Sequence, residues 1–211
     1  MPIAPPLLPI TFPVFLDDRP AIVTLDLADN TDVLSATRWR VPRELEHDPA
    51  MQARAADARE FALLAAKRWR HYRDTTAIAQ TLPELRQMIK SDARGECCFH
   101  LKVTADWFPT SLGGAMVRRT WCHHLVIDFL FVHPAICGKA VNVKGVGISI
   151  LQAVCMIARS LGCKRVWGEA TSDSAPFYAQ QLGCCVEDQF ALEATEITAF
   201  ASRLETKRRT I

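Results

Sequence analysis

Residues 125–158 read LVIDFLFVHPAICGKAVNVKGVGISILQAVCMIA, and the order of patterns within them decides the fold. Leu125 to Val132 is an apolar, β-rich run of strand length. It ends at Val132-His133-Pro134, and a loop carrying Gly138, Lys139, Lys144, Gly145 and Gly147 follows. From Gly147 to Leu161 the pattern is helical, with Ile148, Leu151, Val154, Cys155 and Ala158 on the buried stripe. Glycines at such a strand-to-helix turn let backbone N–H groups approach a ligand closely. The helix start adds unpaired N–H donors and a partial positive charge, which together suit a phosphate. Lys139 and Lys144 would add charge at the rim.

Outward from this stretch the chain continues as alternating elements. Lys164–Ala170 reads as a strand, Ser174–Leu182 as a helix, Val186–Leu192 as a strand, and Glu196–Lys207 as a closing helix. Upstream, Cys97–Ala105 and Ala115–Trp121 are β-rich, and Gly113-Gly114 between them predicts an antiparallel pair. Ala21–Leu27 is a further strand, followed by turn and cap residues from Asp29 to Asp32. Between Asp48 and Arg73 the spacing of Phe61, Leu64, Ala65, Arg68 and Trp69 predicts an amphipathic helix. A second helix is expected over Leu82–Ile89, with Pro83 in its first turn. The proline-rich first twenty residues are expected to wrap the surface in extended form. A strand before and after a helix, beside antiparallel neighbours, means a mixed α/β sheet.

Bulk properties narrow the function classes. With 211 residues, 49% of them hydrophobic and 23% charged, the chain can bury a core without staples. The expected organisation is an N-terminal part, residues 1–95, joined to or built into a core of residues 96–211. A net charge of +2 gives no basic stripe for nucleic acid, and Lys207-Arg208-Arg209 reads as a solvated tail. The apolar opening Met1–Pro9 is interrupted by proline and lacks a cationic start, so neither a membrane span nor a secretory segment is expected. A cytoplasmic protein follows as the expectation. The eight cysteines include no C-x-x-C, and Cys122, His123 and His124 are consecutive rather than spaced as zinc ligands. No metal is expected; small buried thiols in a reducing compartment account for them.

Two other phosphate motifs share the physics of the 138–147 loop, and neither is matched. Gly147 is followed by Ile148-Ser149 rather than Lys-Ser/Thr, and Ile150 stands where a dinucleotide fingerprint needs glycine. What the segment resembles is the acetyl-CoA motif of the GNAT acetyltransferase superfamily: a strand ending V-x-P, then Q/R-x-x-G-x-G/A, then a helix. Val132-His133-Pro134 and Asn142-Val143-Lys144-Gly145-Val146-Gly147 carry the likeness. It continues at Val166–Ala170, and at Ser174–Tyr178 with Leu182-Gly183, which are similar to the family's next strand and its A-x-x-F-Y-x-x-L-G helix. About half the chain is covered. The sequence departs from the pattern in a longer Pro134–Gly145 loop, in Asn142 where Gln or Arg is common, and in Tyr178, which stands five residues before Gly183 rather than four. Aligned without a gap, Ala179 takes the tyrosine's place and Ser172 that of a frequent asparagine; with one inserted residue, Tyr178 keeps it.

The resemblance implies a twisted mixed sheet with helices on both faces and acetyl-CoA as co-substrate. It places the backbone of Phe131 and Val132 along the pantetheine arm, and Asn142, Val143, Lys144, Gly145, Val146 and Gly147 at the pyrophosphate. It implies acyl transfer to the primary amine of a small molecule or peptide, with homodimers common among such proteins. Asp128, at a position where several members carry Glu, is the first candidate base; four residues before Val132, it shares that face of the strand. A salt bridge to Arg118 or Arg119 is the alternative. Glu169 is a second candidate for proton transfer or substrate orientation, and Tyr178 a candidate general acid, against simple helix packing. His133 and His124 have suitable titration ranges. Trp107, Phe108 and Trp121 either line an acceptor pocket or pack the core. A CoA-binding protein without catalysis, or an interaction scaffold, stands as the alternative function.

Overall fold

In the computed structural model, which describes residues 8–75, 78–92 and 96–209, strands and helices alternate along most of the chain. They run β1 (Ile10–Leu16), β2 (Arg19–Leu27), α1 (Asn30–Ala36), α2 (Pro49–Thr75), β3 (Ile78–Ala79), α3 (Leu82–Ser91), β4 (Cys97–Thr104), β5 (Gly113–Arg119), β6 (His124–Val132), α4 (Pro134–Cys137), β7 (Val143–Lys144), α5 (Val146–Ser160), β8 (Arg165–Glu169), α6 (Ala175–Leu182), β9 (Gln189–Glu193) and α7 (Ala194–Arg208). The apolar opening through Leu7 and the expected boundary at residue 95 lie outside the described residues. Caps stand where the side chains predict them: Asp29 and Asp32 form a reciprocal capping box on α1, and Thr81 with Glu84 does the same on α3.

One nine-stranded sheet has the order β7-β1-β2-β4-β5-β6-β8-β9, with β3 joined to β4. The β3/β4 and β6/β8 pairs are parallel and the others antiparallel. Side-chain alternation sends apolar residues to both faces. On one face Phe99, Leu101 and Val103 of β4 pack with α5 and α7 through Ile150, Val154, Phe200 and Leu204. On the other, Cys98, Met116 and Phe131 pack under α1 and α2 through Val33, Ala62, Ala65 and Trp69. Helices therefore cover both faces. α5 buries every residue from Ser149 to Ala158 because α7 closes its outer side. Among the described residues no helix is long and apolar enough to cross a membrane.

Three local expectations are corrected. Residues 10–16, expected to lie extended on the surface, form a strand hydrogen-bonded to β2, closed by a tight turn at Asp17 and Asp18 (φ 48° and 61°). Ile10, Phe12 and Val14 alternate into the core, and Pro13 is tolerated because β7 borders β1 only at Phe15 and Leu16. Gly113-Gly114 is not a turn but the start of β5. A Cβ on Gly113 would lie 2.6 Å from the Phe131 carbonyl oxygen, and one on Gly114 would collide with that of Leu101, so both glycines serve close strand approach. Finally, Asp128 does not share a face with Val132. Met116 pairs with Phe129 but Val117 pairs with Ile127, which leaves Asp128 as the extra residue of a β-bulge. Beyond it the alternation is reversed, so Phe129 and Phe131 face α2 while Leu130 and Val132 face the α5 side.

The glycine packing is open to test. Gly114→Ala forces the β4 or β5 backbone to shift and is expected to cost about 1–3 kcal/mol, as for overpacked cores. Thermal unfolding should show a drop on the order of 5 °C for a chain of this size; an unchanged midpoint would contradict the close approach.

Candidate functional site

A gap in the sheet makes the site. β6 pairs with β8 from His124 to Ile127 and no further, the last partners being Ile127 and Gly168. β6 runs on to Val132 while β8 ends at Glu169 and the chain turns toward α6. The edge of β6 from Asp128 to Val132 therefore has no strand partner on that side among the described residues. A cleft of about 460 Å³ opens there, within the range of ligand pockets. Its walls are Leu130, Phe131 and Val132 of β6; Arg54, Asp57, Ala58 and Phe61 of α2; Gly147 of α5; Cys137 of α4; and Asp173, Ser174, Pro176, Phe177 and Gln180 around the start of α6.

The N-terminus of α5 points its first turn at this cleft. Gly145, at φ 98°, is the N-cap and supplies no side-chain cap. A left-handed cap needs glycine, and its lack of a side chain leaves the first N–H groups of α5 without an internal partner. A Cβ on Gly147 would lie 3.7 Å from both Val132 Cγ2 and the Phe177 ring, so the helix start sits between the β6 end and α6. The loop before it is anchored. Asn142 O accepts from Asp17 N at 3.0 Å, Val143 and Lys144 pair with Leu16 and Phe15, and Lys144 Nζ reaches Asp18 Oδ1 at 2.6 Å on the surface. The loop's added length contains α4, started by His133, whose Nδ1 accepts from Ala135 N at 3.2 Å.

The structure brings Phe131, Val132 and Gly147 together on the cleft, with Asn142 just before β7, Val143 and Lys144 in it, Gly145 as the cap and Val146 as the first residue of α5. Asp128, Glu169 and Tyr178 do not line it. Asp128 is held from β5: Arg118 donates from Nε to Oδ2 at 2.8 Å and from Nη2 to Oδ1 at 3.0 Å. Arg68 of α2 lies 3.7 Å from Oδ1. Both guanidiniums sit over the Tyr72 ring. Tyr178 is buried and stacks on Phe190 at 4.0 Å, and burial pushes its phenol above the ordinary range. Glu169 is exposed at the end of β8. His133 lies between Trp39 (4.7 Å) and Phe108 (5.0 Å), and burial lowers its pKa to about 4, so the ring is neutral at pH 7. Trp107 Nε1 donates to Ile22 O, while Trp121 is 73% exposed on the β5–β6 turn.

The cleft also holds residues that sequence reasoning passed over. Arg54, Asp57 and Phe61 share one side of α2; their helical spacing was visible, but not which strand that side would face. Asp57 has a raised pKa, first from burial, then from the hydrogen-bonding and charge of Asp173. Cys137 is the one cysteine on the wall, and burial drives its thiol up to about 11 against the nearby Arg54. Among the described residues no group of three or more His, Cys, Asp or Glu is placed to hold a metal ion.

No family model matches the chain, and no curated protein matches it in sequence. It is similar to several solved structures. Over 78% of this chain and 94% of theirs, it is 17% identical to an acetyltransferase from Trypanosoma brucei, with a TM-score of 0.42. An acetyltransferase of the GNAT family from Staphylococcus aureus is 10% identical at a TM-score of 0.36, over 53% of this chain and 76% of that one. Nourseothricin acetyltransferase is 16% identical at a TM-score of 0.36; 46% of this chain is covered, and the chain spans 65% of that relative's length.

The buried thiol on the cleft wall yields a direct test. Alkylation of the folded protein with iodoacetamide at pH 8, read by mass spectrometry, should label the exposed Cys184 and Cys185 and spare Cys137. At that pH a thiol at about 11 is thiolate in only about one part in a thousand. Prompt labelling of Cys137 would show an ionised thiol instead.

Proposed function

We propose that this chain is a GNAT-type N-acyltransferase that moves an acetyl or similar acyl group from CoA to a primary amine. The observation that carries the reading is the break between β6 and β8 with an uncapped helix N-terminus beside it. An unpaired strand edge offers backbone N–H and C=O groups at regular spacing, which suits an amide-bearing arm. A helix start with free N–H groups suits a diphosphate. The two lie next to each other, as the Gly147–Val132 spacing requires. CoA is a molecule with both parts.

In this reading Phe131 and Val132 hold the pantetheine arm through their backbone. The loop from Asn142 to Gly147 receives the pyrophosphate, chiefly through main-chain N–H groups. The apolar walls from Val132 and Phe177 exclude water from the thioester. Positioning an amine against that carbonyl converts a bimolecular encounter into a local one, the largest contribution the protein can make here. The nitrogen then forms a bond to the thioester carbon, the carbon–sulfur bond breaks, and a proton must leave nitrogen while the thiolate gains one. A non-catalytic CoA-binding protein is the second reading, and one observation favours it: Asp128, Glu169 and Tyr178 all stand off the cleft wall.

Thermal unfolding with acetyl-CoA tests the reading. Ligand at ~100 times its dissociation constant adds ~2.7 kcal/mol, a rise on the order of 5–10 °C. Gly147→Leu, which fills the space between Val132 and Phe177, should abolish that rise while the free protein still unfolds cooperatively. Absence of any rise in the wild type would remove the CoA reading; a rise without thiol release from any amine would favour the second one.

A further inference from the structure

We propose that Arg68 and Arg118, gathered at the Asp128 bulge, bind a carboxylate on the acceptor, so that the chain acts on amines that are also acids. The inference rests on the acyltransferase reading and deepens it, because it names the class of amine that the same strand edge would serve.

The unpaired edge of β6 begins at Asp128, directly after the last β6–β8 partners, Ile127 and Gly168. At that point two guanidiniums from separate elements meet one carboxylate. Arg118 of β5 grips it as a fork, Nε to Oδ2 at 2.8 Å and Nη2 to Oδ1 at 3.0 Å. The Asp128 side chain is only 5% exposed, and the fork satisfies both of its oxygens. Arg68 of α2 stands 3.7 Å from Oδ1, too far for a hydrogen bond, and its Nη1 donates to the neutral Tyr72 hydroxyl at 3.3 Å. Among the described residues no other carboxylate forms an ion pair with either guanidinium. The cluster therefore carries one positive charge more than its carboxylate balances.

That charge is held in place and open to a ligand. The Arg68 guanidinium carbon lies 5.8 Å from the Tyr72 ring centre and 5.7 Å from that of Phe129, and Arg118 shares the Tyr72 ring at 5.7 Å. A guanidinium already settled among rings loses less freedom when an anion arrives. The Arg68 side chain is 41% exposed and that of Arg118 31%. The bond to Tyr72 uses one of the five N–H donors of Arg68, in a geometry that matches a carboxylate. Phe129 links the cluster to the cleft, because its ring lies 6.4 Å from Phe61 on the cleft wall. Two strand residues rise roughly 7 Å, which is the step from Asp128 to Leu130 on that wall. An acceptor with its amine at the thioester can lay an apolar stretch over Phe129 and set a carboxylate at Arg68. A second ammonium at that end would be repelled.

The test compares acceptors in pairs that differ only in the carboxylate: 6-aminohexanoate against 6-aminohexanamide, and 4-(aminomethyl)benzoate against its amide. Thiol release is read at varied acceptor and saturating acetyl-CoA. Each acid is expected to exceed its amide in kcat/KM by about tenfold or more, the scale of one hydrogen bond between charged groups. Arg68→Met should bring both ratios close to one, and Arg68→Lys, which keeps the charge without the fork, should fall between. Asp128 keeps its Arg118 fork in both variants, so folding and acetyl-CoA stabilisation should be retained. Loss of packing alone would lower acid and amide together and leave the ratio as it was. If the wild type turns over acids and amides equally, or the preference survives Arg68→Met, the proposal is overturned and the acyltransferase reading stands. Acetyl-CoA stabilisation with no release from any of the four compounds also overturns it. Failure of acetyl-CoA to stabilise the wild type is the separate outcome that removes the underlying reading, and the arginines' role with it.

Discussion

The molecule is organised around a sheet that stays open at one place, where β6 loses β8 as a partner after Ile127. Strand edges in a folded protein are ordinarily paired or covered, because bare N–H and C=O groups invite aggregation or demand water. Here the exposed edge is walled by helices instead. α2 crosses one side, α6 the other, and the start of α5 closes the end. What is left between them is the cleft. The elements that line it come from the middle of the chain and from both sides of β6, so the cavity exists only when the whole sheet is assembled.

The bulge at Asp128 belongs to the same geometry. An extra residue in β6 bends and twists the strand at the position where its pairing to β8 ends. The carboxylate of that residue is drawn to Arg118 and Arg68, which ties the bulge to both β5 and α2. Hydrogen bonds to charged groups stabilise more than neutral ones, each by about 1.5–3 kcal/mol. The pair thereby fixes where the strand departs from regular pleating. It also holds α2 against the sheet, and α2 is the element that carries Asp57 and Phe61 onto the cleft.

Much of this was legible in the residues. The helix over 49–75, the strands β4, β5, β6, β8 and β9 and the turn into α5 follow from periodicity, glycine placement and caps, because those signals are local. Strand β1 was hidden because prolines at 9 and 13 masked the alternation of Ile10, Phe12 and Val14. The reversal of faces after Asp128 was not legible, since a bulge leaves no mark in a run as uniformly apolar as Leu125–Val132. Of the site, the β6 end and the Asn142–Gly147 loop could be read as a motif. Asp57 and Asp173 could not, because they are far apart in sequence and only tertiary packing brings them together.

Burial decides which groups are left to do proton chemistry at neutral pH. His100 and His133 are desolvated until both fall to about 4, so both imidazoles are neutral near pH 7. The phenol of Tyr178 and the thiols of Cys97, Cys98, Cys137, Cys155 and Cys163 are pushed the opposite way and stay protonated. Burial also raises the pKa of Asp57, and there it combines with a second carboxylate, that of Asp173. A group that must both ionise and accept a proton needs partial water access together with a neighbour that opposes its charge. Within the walls of the cleft that condition is met where α2 faces the start of α6.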